Sequence, residues 1–312
     1  MHLHSSVRRT AAALGVAITA AALVTAPAQA VPEEAPGPGT KYVALGSSYA
    51  AGASVGPADP SDKDGLCGRT MIAYPNLVAR TLGLDLTNAT CGGATTDNIT
   101  TVPQKVSYPA SGTLAPQINA VTADTDLVTI TIGGNDVNFV GNLYAESCLA
   151  DLAANPSSPL SNALKEYGLC TPLPDETVTS ALAAMESKLT RMVEAVQARA
   201  PKARIILIDY PVVLPENGKP CSAVPITQER QKFLNQVARQ LSNATKHAAQ
   251  KTGTEFVAAS KNSRGQDACS TTPWMTGYDF SPGVAAMHPN EAGHAAVAAA
   301  LTRQLTTAGK AS

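Results

Sequence analysis

The chain has 312 residues, of which 44% are hydrophobic and 15% are charged, and a formal net charge of −1 at pH 7. This balance lacks the concentrated positive charge with which nucleic-acid-binding proteins neutralise phosphates, so we expect no nucleic-acid partner. The length after the N-terminal segment, without a second linker or a clear internal repeat, fits one large domain.

The first thirty residues have the pattern of a secretory signal peptide. A basic start with Arg8 and Arg9 is followed by an apolar stretch at 11–24 and by Ala-Gln-Ala at 28–30. The apolar stretch is shorter than the roughly 20 residues that span a bilayer, and no later segment offers such a run, so we expect no transmembrane anchor. We therefore predict a secreted, extracellular protein. Paired arginines occur in twin-arginine and in ordinary signals, so the export route stays open.

A Pro/Gly-rich linker at 31–40 precedes a predicted single domain at 41–308, in which strands and helices alternate. Apolar, β-branched runs predict strands at Tyr42–Leu45, Leu84–Asn88, Leu127–Ile132, Arg204–Asp209 and Glu255–Ala258. Helical patterns lie at Tyr74–Leu82, Glu176–Arg199, Thr227–Lys251 and Glu291–Thr306. Such alternation predicts an α/β sandwich around a mainly parallel sheet of about five strands.

Six cysteines lie after the signal, where an exported chain meets oxidising conditions. The even count predicts three disulfides, each worth about 2–4 kcal/mol of stability. Six cysteines permit about 15 pairings, so the connectivity stays open. The simplest prediction joins neighbours that close modest loops: Cys67 with Cys91, Cys148 with Cys170 and Cys221 with Cys269.

Glycine-rich or polar segments follow the predicted strands, at the sheet edge where ligands bind in parallel α/β folds. They are Gly-Ser-Ser at 46–48, NATCGGATTDN at 88–98, GGNDVNF at 133–139 and DYPVVLP at 209–215. No GxGxxG or GxxxxGK[ST] follows any strand, so we expect no nucleotide and no other cofactor. Backbone donors in these turns favour oxyanion binding instead.

A serine nucleophile requires a base, because its hydroxyl is a weak nucleophile. Three histidines follow the signal. His247 lies between lysines in a predicted helix and is expected on the surface. His288 lies on a loop just before a helix that Asn290 can cap, which is a favourable place for a catalytic side chain. His294 lies in that helix and is expected to be packed or solvated.

We expect no metal site. His288 and His294 have the wrong spacing for two ligands on one helical face, and no third ligand is near them in sequence. The cysteines include no CxxC pair, which argues against zinc.

The segment GSSYAAG at 46–52, Gly93, Gly-Asn-Asp at 134–136 and His-Pro-Asn at 288–290 together resemble the four ordered sequence blocks of the GDSL-type, or SGNH, hydrolases. The resemblance runs from 42 to 294 and is strongest to secreted, three-disulfide lipases and esterases. It implies a three-layer α/β/α sandwich, the SGNH hydrolase fold.

The resemblance also implies site residues and a reaction. Ser48 would be the nucleophile and His288 the general base, with an acyl-enzyme intermediate. The oxyanion hole would comprise the backbone N–H groups of Ser48 and Gly93 and the side-chain amide of Asn135. The implied activity is hydrolysis of acyl esters, as in lipid degradation.

Two positions depart from the family pattern. Ser47 stands where the family has an aspartate, and Ala285 stands three residues before the histidine, where the family often has an acid. Because some secreted members use a main-chain carbonyl near that position, we predict that the backbone carbonyl of Ala285 orients His288. Asp279 is the alternative acid in the same segment. We expect Asp97, Asp136 and Asp209 to hold loops rather than to catalyse.

A rival nucleophile is Ser54, because GASVG at 52–56 matches GxSxG. That motif needs a strand directly before it and a helix directly after it, whereas PADPSDKDG at 57–65 cannot be helical, so we favour Ser48.

The substrate class follows less directly. Apolar segments at 137–149 and 212–215 can line an acyl site or pack in the core. Triglyceride, phospholipid, short-chain and carbohydrate esters stay open as small-molecule substrates, and we expect a monomer. The alternatives are a secreted binding protein with a degenerate site and an acyltransferase.

Overall fold

The computed structural model describes residues 1–2, 35–53, 55–107 and 111–307. Its strands are β1 (Lys41–Gly46), β2 (Asp85–Asn88), β3 (Gln104–Val106), β4 (Gly112–Leu114), β5 (Leu127–Thr131), β6 (Arg204–Ile208) and β7 (Glu255–Val257). Its helices are α1 (Ser48–Ala51), α2 (Tyr74–Leu82), α3 (Thr96–Thr100), α4 (Phe139–Ala154), α5 (Pro159–Glu166), α6 (Asp175–Arg199), α7 (Gln228–Thr252), α8 (Ala259–Asn262) and α9 (Glu291–Thr307), with a 3-10 helix at Gln117–Ala120.

The central sheet has five parallel strands in the order β2-β1-β5-β6-β7. Strand β1 lies beside both β2 and β5, with Tyr42 paired to Leu86 on one side and to Leu127 on the other. The carboxyl ends of these three strands therefore meet at one edge of the sheet. The turns after them carry three of the four sequence blocks described above.

The three central strands β1, β5 and β6 are buried on both faces, which explains why they contain few polar residues, whereas the edge strand β2 is largely exposed. In β6, Ile205 and Leu207 belong to one core, while Ile206 and Ile208 belong to the other. Apolar side chains of α6 and α7 complete the first core, and those of α2 and α9 complete the second. The predicted three-layer α/β/α sandwich with a parallel sheet is confirmed.

Helix α4 is the largest element that the sequence pattern does not predict as a helix. It has apolar residues around its whole circumference, from buried Phe139 and Leu143 to Leu149, which is 44% exposed. An amphipathic stripe, on which helix prediction depends, is therefore missing.

Three disulfides join Cys67 to Cys91, Cys148 to Cys170 and Cys221 to Cys269, the same pairs that the neighbour pairing predicts. The first lies beside the predicted oxyanion loop, because Gly92 N donates to Cys67 O at 2.9 Å.

Residues 3–30 of the predicted signal and 31–34 of the linker lie outside the described residues, and so does Ser54. Within the described part of the chain, no helix is both long enough and apolar enough to cross a bilayer.

Candidate active site

Ser48 is presented by a tight turn between β1 and α1. Gly46 ends β1 with φ 145°, and a Cβ at this position would lie 2.5 Å from the carbonyl oxygen of Thr131, so only glycine fits. The side chain of Gln117 holds the same residue, accepting from Gly46 N at 2.8 Å and donating to Gly46 O at 2.9 Å. Ser48 is the first residue of α1 and is partly exposed.

His288 precedes α9, whose N-terminus Asn290 caps by accepting from Gly293 N at 3.0 Å. The Nε2 atom of His288 lies 2.8 Å from Ser48 Oγ, and its Nδ1 atom lies 2.6 Å from the carbonyl oxygen of Ala286. Because a carbonyl only accepts, Nδ1 carries the proton and Nε2 accepts from the serine hydroxyl. The serine and the imidazole are therefore placed for proton transfer.

The prediction that the Ala285 carbonyl orients the histidine is wrong by one residue. The Ala285 carbonyl accepts instead from the hydroxyl of Thr276. The left-handed conformation of Met287, with φ 57°, turns the chain so that the Ala286 carbonyl faces Nδ1.

His288 is only 6% exposed, and this burial lowers the pKa of its imidazole to about 4, against an opposing effect of the hydrogen bond to Ala286. The ring lies 4.9 Å from that of Tyr49. The imidazole is therefore neutral, as a base must be, across the neutral and mildly acidic range.

Two loops beside Ser48 carry the predicted oxyanion donors. Gly93 has φ 77°, a left-handed conformation that favours glycine. Among the described residues, no group accepts from the backbone N–H of Ser48 or of Gly93. The side-chain amide of Asn135 donates to the carbonyl of Ala94 at 2.8 Å, which orients the amide and leaves its second N–H available.

Two main-chain bonds and one carboxylate connect these loops. Cys91 N donates to Gly46 O at 3.0 Å, and Ser47 N donates to Thr131 O at 3.0 Å. Asp136 accepts from Thr96 N at 3.0 Å and from its hydroxyl at 2.6 Å. The loops after β1, β2 and β5 are thereby held against each other.

The acidic side chains near the site hold loops. Asp136 holds the loop at Thr96. Asp209 is buried, which raises its pKa, and it accepts from the hydroxyls of Ser242 and Ser260 and from Ser260 N. Asp97 lies 3.5 Å from the ammonium of Lys188.

Asp279, the alternative acid for His288, instead accepts from the backbone N–H and the hydroxyl of Ser281. The carbonyl of Ala286 is therefore the group that orients the imidazole.

Ser47, at the position of the family's aspartate, is 1% exposed and its hydroxyl lies 3.4 Å from that of Tyr210. Burial raises the pKa of Tyr210 to about 12, and its hydroxyl accepts from Gly134 N at 2.8 Å. Tyr210 therefore holds the loop that begins at Gly134, and Ser47 only makes a long contact with Tyr210.

Sequence reasoning missed the side chains that hold the backbone before His288. They are Tyr49, Tyr144 and Thr276, whose hydroxyls donate to Met287 O, Ala286 O and Ala285 O. Tyr144 lies 142 positions from the carbonyl that it binds, and no local pattern connects them.

The two segments considered for an acyl site contribute to one cavity of about 250 Å³, which Phe139, Tyr210 and Val212 line. Neither Ser48 nor His288 lines it, so the cavity is not assigned to the acyl chain.

The other histidines differ in burial. The side chain of His247 is 58% exposed and lies 3.3 Å from Glu186, as expected for a surface residue. His294 is fully buried, and within the described residues neither of its ring nitrogens has a hydrogen-bond partner. No cluster of three or more possible metal ligands occurs in the described ranges.

His294 predicts a pH-dependent stability. Burial, followed by the charge of His288, lowers its pKa to about 3, so below pH ~6.5 the unfolded state binds a proton that the folded state does not. Stability is thus lost as pH falls from about 6.5 towards 3, and at pH 5 this residue should cost about 2 kcal/mol. We expect His294→Leu to reduce the difference between the unfolding free energies at pH 8 and pH 5 by this amount, measured in urea.

Exposed His247→Gln is the control and should leave that difference within about 0.5 kcal/mol of the unmodified protein. An unchanged pH dependence in His294→Leu would show that His294 does not stay neutral in the folded protein.

Comparison with known proteins agrees with this geometry. Residues 44–296 match the model of the GDSL-like Lipase/Acylhydrolase family. "Lipase 2" of Streptomyces coelicolor is 35% identical over 289 residues, covering 91% of this chain and 92% of that protein. The crystal structure of phospholipase A1 from Streptomyces albidoflavus is 25% identical with a TM-score of 0.65, covering 84% of this chain and 98% of the other.

An extracellular lipase of Streptomyces rimosus is 26% identical, with a TM-score of 0.62 and the same two coverages. The family match spans all four sequence blocks and both residues of the Ser48–His288 pair. The chain therefore belongs to the GDSL-like lipase/acylhydrolase family and is an ester hydrolase of the lipase and esterase type.

Proposed function

We propose that this protein is an exported hydrolase of lipid acyl esters in which Ser48 is the nucleophile and His288 the general base. The observation that carries the proposal is the 2.8 Å contact between Ser48 Oγ and His288 Nε2, with Nδ1 held at 2.6 Å from the Ala286 carbonyl.

The reaction follows from these contacts. Ser48 Oγ attacks the ester carbonyl carbon while Nε2 takes the hydroxyl proton, and the Ala286 carbonyl stabilises the positive charge on the imidazole. The attack gives a tetrahedral intermediate with a negatively charged oxygen. This intermediate collapses as His288 returns the proton to the leaving alcohol, which gives an acyl-enzyme. A water molecule then attacks the acyl carbon, His288 takes its proton and returns it to Ser48 Oγ, and the acid is released.

The negative oxygen of the intermediate is assigned to three donors: Ser48 N–H, Gly93 N–H and the free N–H of Asn135. The proposal is supported by the absence of a partner for the first two among the described residues and by the oriented amide of the third. Each such donor typically contributes about 10²–10³ in kcat.

The lipid substrate and the export route rest on separate observations. The relatives are named as lipases, and one structural neighbour as a phospholipase A1, which supports a fatty acyl ester as substrate. Three disulfides and the signal-like pattern at 1–30 support export. The predicted linker at 31–40 would then join the signal to the domain at 41–308.

A serine-directed phosphonate tests the proposal. We expect labelling at Ser48, located by peptide mass spectrometry, together with turnover of p-nitrophenyl esters from acetate to palmitate. An unlabelled Ser48 and no turnover at any chain length would instead indicate a binding protein on a hydrolase fold. Transfer of the acyl group to an added alcohol in preference to water would indicate an acyltransferase.

The low pKa of His288 predicts the acid limb of activity. Protonated His288 cannot accept the serine proton, so activity is lost as pH falls through its pKa of about 4. We expect kcat/KM for an uncharged ester to stay level down to about pH 5 and then fall, with a midpoint far below the ordinary histidine value of about 6.5.

Returning samples to pH 7 should restore activity, which separates titration from acid unfolding. A midpoint near pH 6.5 would contradict a desolvated base.

A further inference from the structure

The three carbonyls before His288 are each held by a hydroxyl from elsewhere in the fold. Thr276 donates to Ala285 O, Tyr144 donates to Ala286 O at 2.9 Å, and Tyr49 donates to Met287 O at 2.5 Å. Residues 285–287 belong to no helix or strand, so these three bonds, together with the turn bond from His288 N to Ala285 O at 3.3 Å, fix the path of the chain here.

This path contains backbone strain. Met287 has φ 57°, a left-handed conformation that costs a residue with a Cβ about 1–2 kcal/mol. It is fixed by the bond from Tyr49 and by Met287 N, which donates to Gly277 O at 3.1 Å. The strained turn directs the Ala286 carbonyl towards Nδ1 of a ring only two residues later.

The carbonyl oxygen of Ala286 orients the imidazole of the proposed general base, and it accepts two hydrogen bonds. His288 Nδ1 donates to it at 2.6 Å, and the hydroxyl of Tyr144 donates at 2.9 Å. A carbonyl oxygen has two lone pairs, so both bonds form together and restrict its direction. Of these two donors, only Tyr144 stays unchanged when the imidazole gains and loses a proton.

Tyr144 is suited to act as a fixed donor. Burial raises the pKa of its hydroxyl, so the hydroxyl keeps its proton at every working pH. The ring packs against Phe280, with centroids 5.3 Å apart, and belongs to α4, which begins four residues after Asn135. One helix thus connects the loop of the proposed oxyanion donor with the carbonyl behind the proposed base.

We propose that Tyr144 is a positioning residue for His288, whose hydroxyl holds the Ala286 carbonyl in line with Nδ1 throughout the catalytic cycle. This inference rests on the proposed roles of Ser48 and His288. Tyr144 acts through the carbonyl and not on the substrate, so its removal should lower kcat and leave KM unchanged.

Tyr144→Phe tests the inference, because it removes the hydroxyl and keeps the ring. We expect kcat for p-nitrophenyl butyrate to fall about tenfold at unchanged KM, since misplacing a catalytic group costs up to about 10² in rate. The Nδ1 hydrogen bond raises the pKa of His288, so loosening that bond should move the acid limb of kcat/KM to lower pH. Tyr49 and His294, which also face or influence the imidazole, are unchanged in this variant.

Tyr278→Phe is the matched control. Tyr278 packs on the same Phe280, but its hydroxyl contacts Ser161 at 3.0 Å and not the Ala286 carbonyl. We expect wild-type kcat and an unshifted acid limb. Thermal unfolding of both variants shows whether they lose similar stability, in which case a rate defect confined to Tyr144→Phe supports positioning.

The outcomes separate this inference from the proposed function. Wild-type kcat and pH profile in Tyr144→Phe, with an active enzyme labelled at Ser48, would overturn the positioning role alone. An acid limb that moves to higher pH would also overturn it. Such a shift would mean that the bond from Nδ1 to the Ala286 carbonyl becomes stronger without the Tyr144 hydroxyl, so the hydroxyl would compete for the carbonyl instead of positioning it. An inactive wild-type protein with unlabelled Ser48 would overturn the proposed function itself.

Discussion

Replacing Ser48 by alanine is expected to lower kcat for p-nitrophenyl esters by about 10⁴–10⁶-fold, the range seen when a serine nucleophile is removed. Ser48 Oγ is the atom at hydrogen-bond distance from His288 Nε2, and alanine offers no atom that can form the acyl-enzyme. The side chain is partly exposed at the start of α1, so the substitution should leave the melting temperature within a few degrees of the wild type.

The neighbouring serine provides the control. Ser47 is buried, and its hydroxyl faces Tyr210 at 3.4 Å rather than His288. We expect Ser47→Ala to keep most of the wild-type kcat and to react with the phosphonate. A larger loss of kcat in Ser47→Ala than in Ser48→Ala would contradict the assignment of Ser48 as the nucleophile.

Removing the amide of Asn135 has the second largest expected effect. Asn135→Ala should lower kcat about 10²–10³-fold with little change in KM, because an oxyanion donor is used fully only in the transition state. Asn135→Asp should lose more than alanine does, since a carboxylate there would repel the negative oxygen. Steady-state kinetics on one p-nitrophenyl ester at pH 7 give both values.

Asn138 is the matched control in the same loop. Its amide donates to Asn142 Oδ1 at 2.8 Å, and its φ of 49° suits glycine, so Asn138→Gly should keep kcat within a few-fold of the wild type. An Asn135→Ala variant with a raised KM and wild-type kcat would place this amide in ground-state binding instead of in the oxyanion hole.

The amino-acid sequence by itself determined the layered fold and the residues that meet at the candidate site. Strands β1, β5 and β6 have few charged residues and are separated by helical patterns, so local sequence already predicts a parallel sheet covered by helices on both faces. The glycine at 46 and the histidine before an Asn-capped helix are likewise local signals.

Tertiary structure alone decided which groups orient and bury those residues. The choice of the Ala286 carbonyl over that of Ala285 depends on a left-handed Met287 held by Tyr49, 238 positions away, and on Tyr144 of a helix without an amphipathic pattern. The low pKa of His288 and that of His294 follow from burial, which no spacing in the sequence reveals. Local patterns specify elements and turns, whereas the position of a carbonyl and the desolvation of a ring depend on long-range packing.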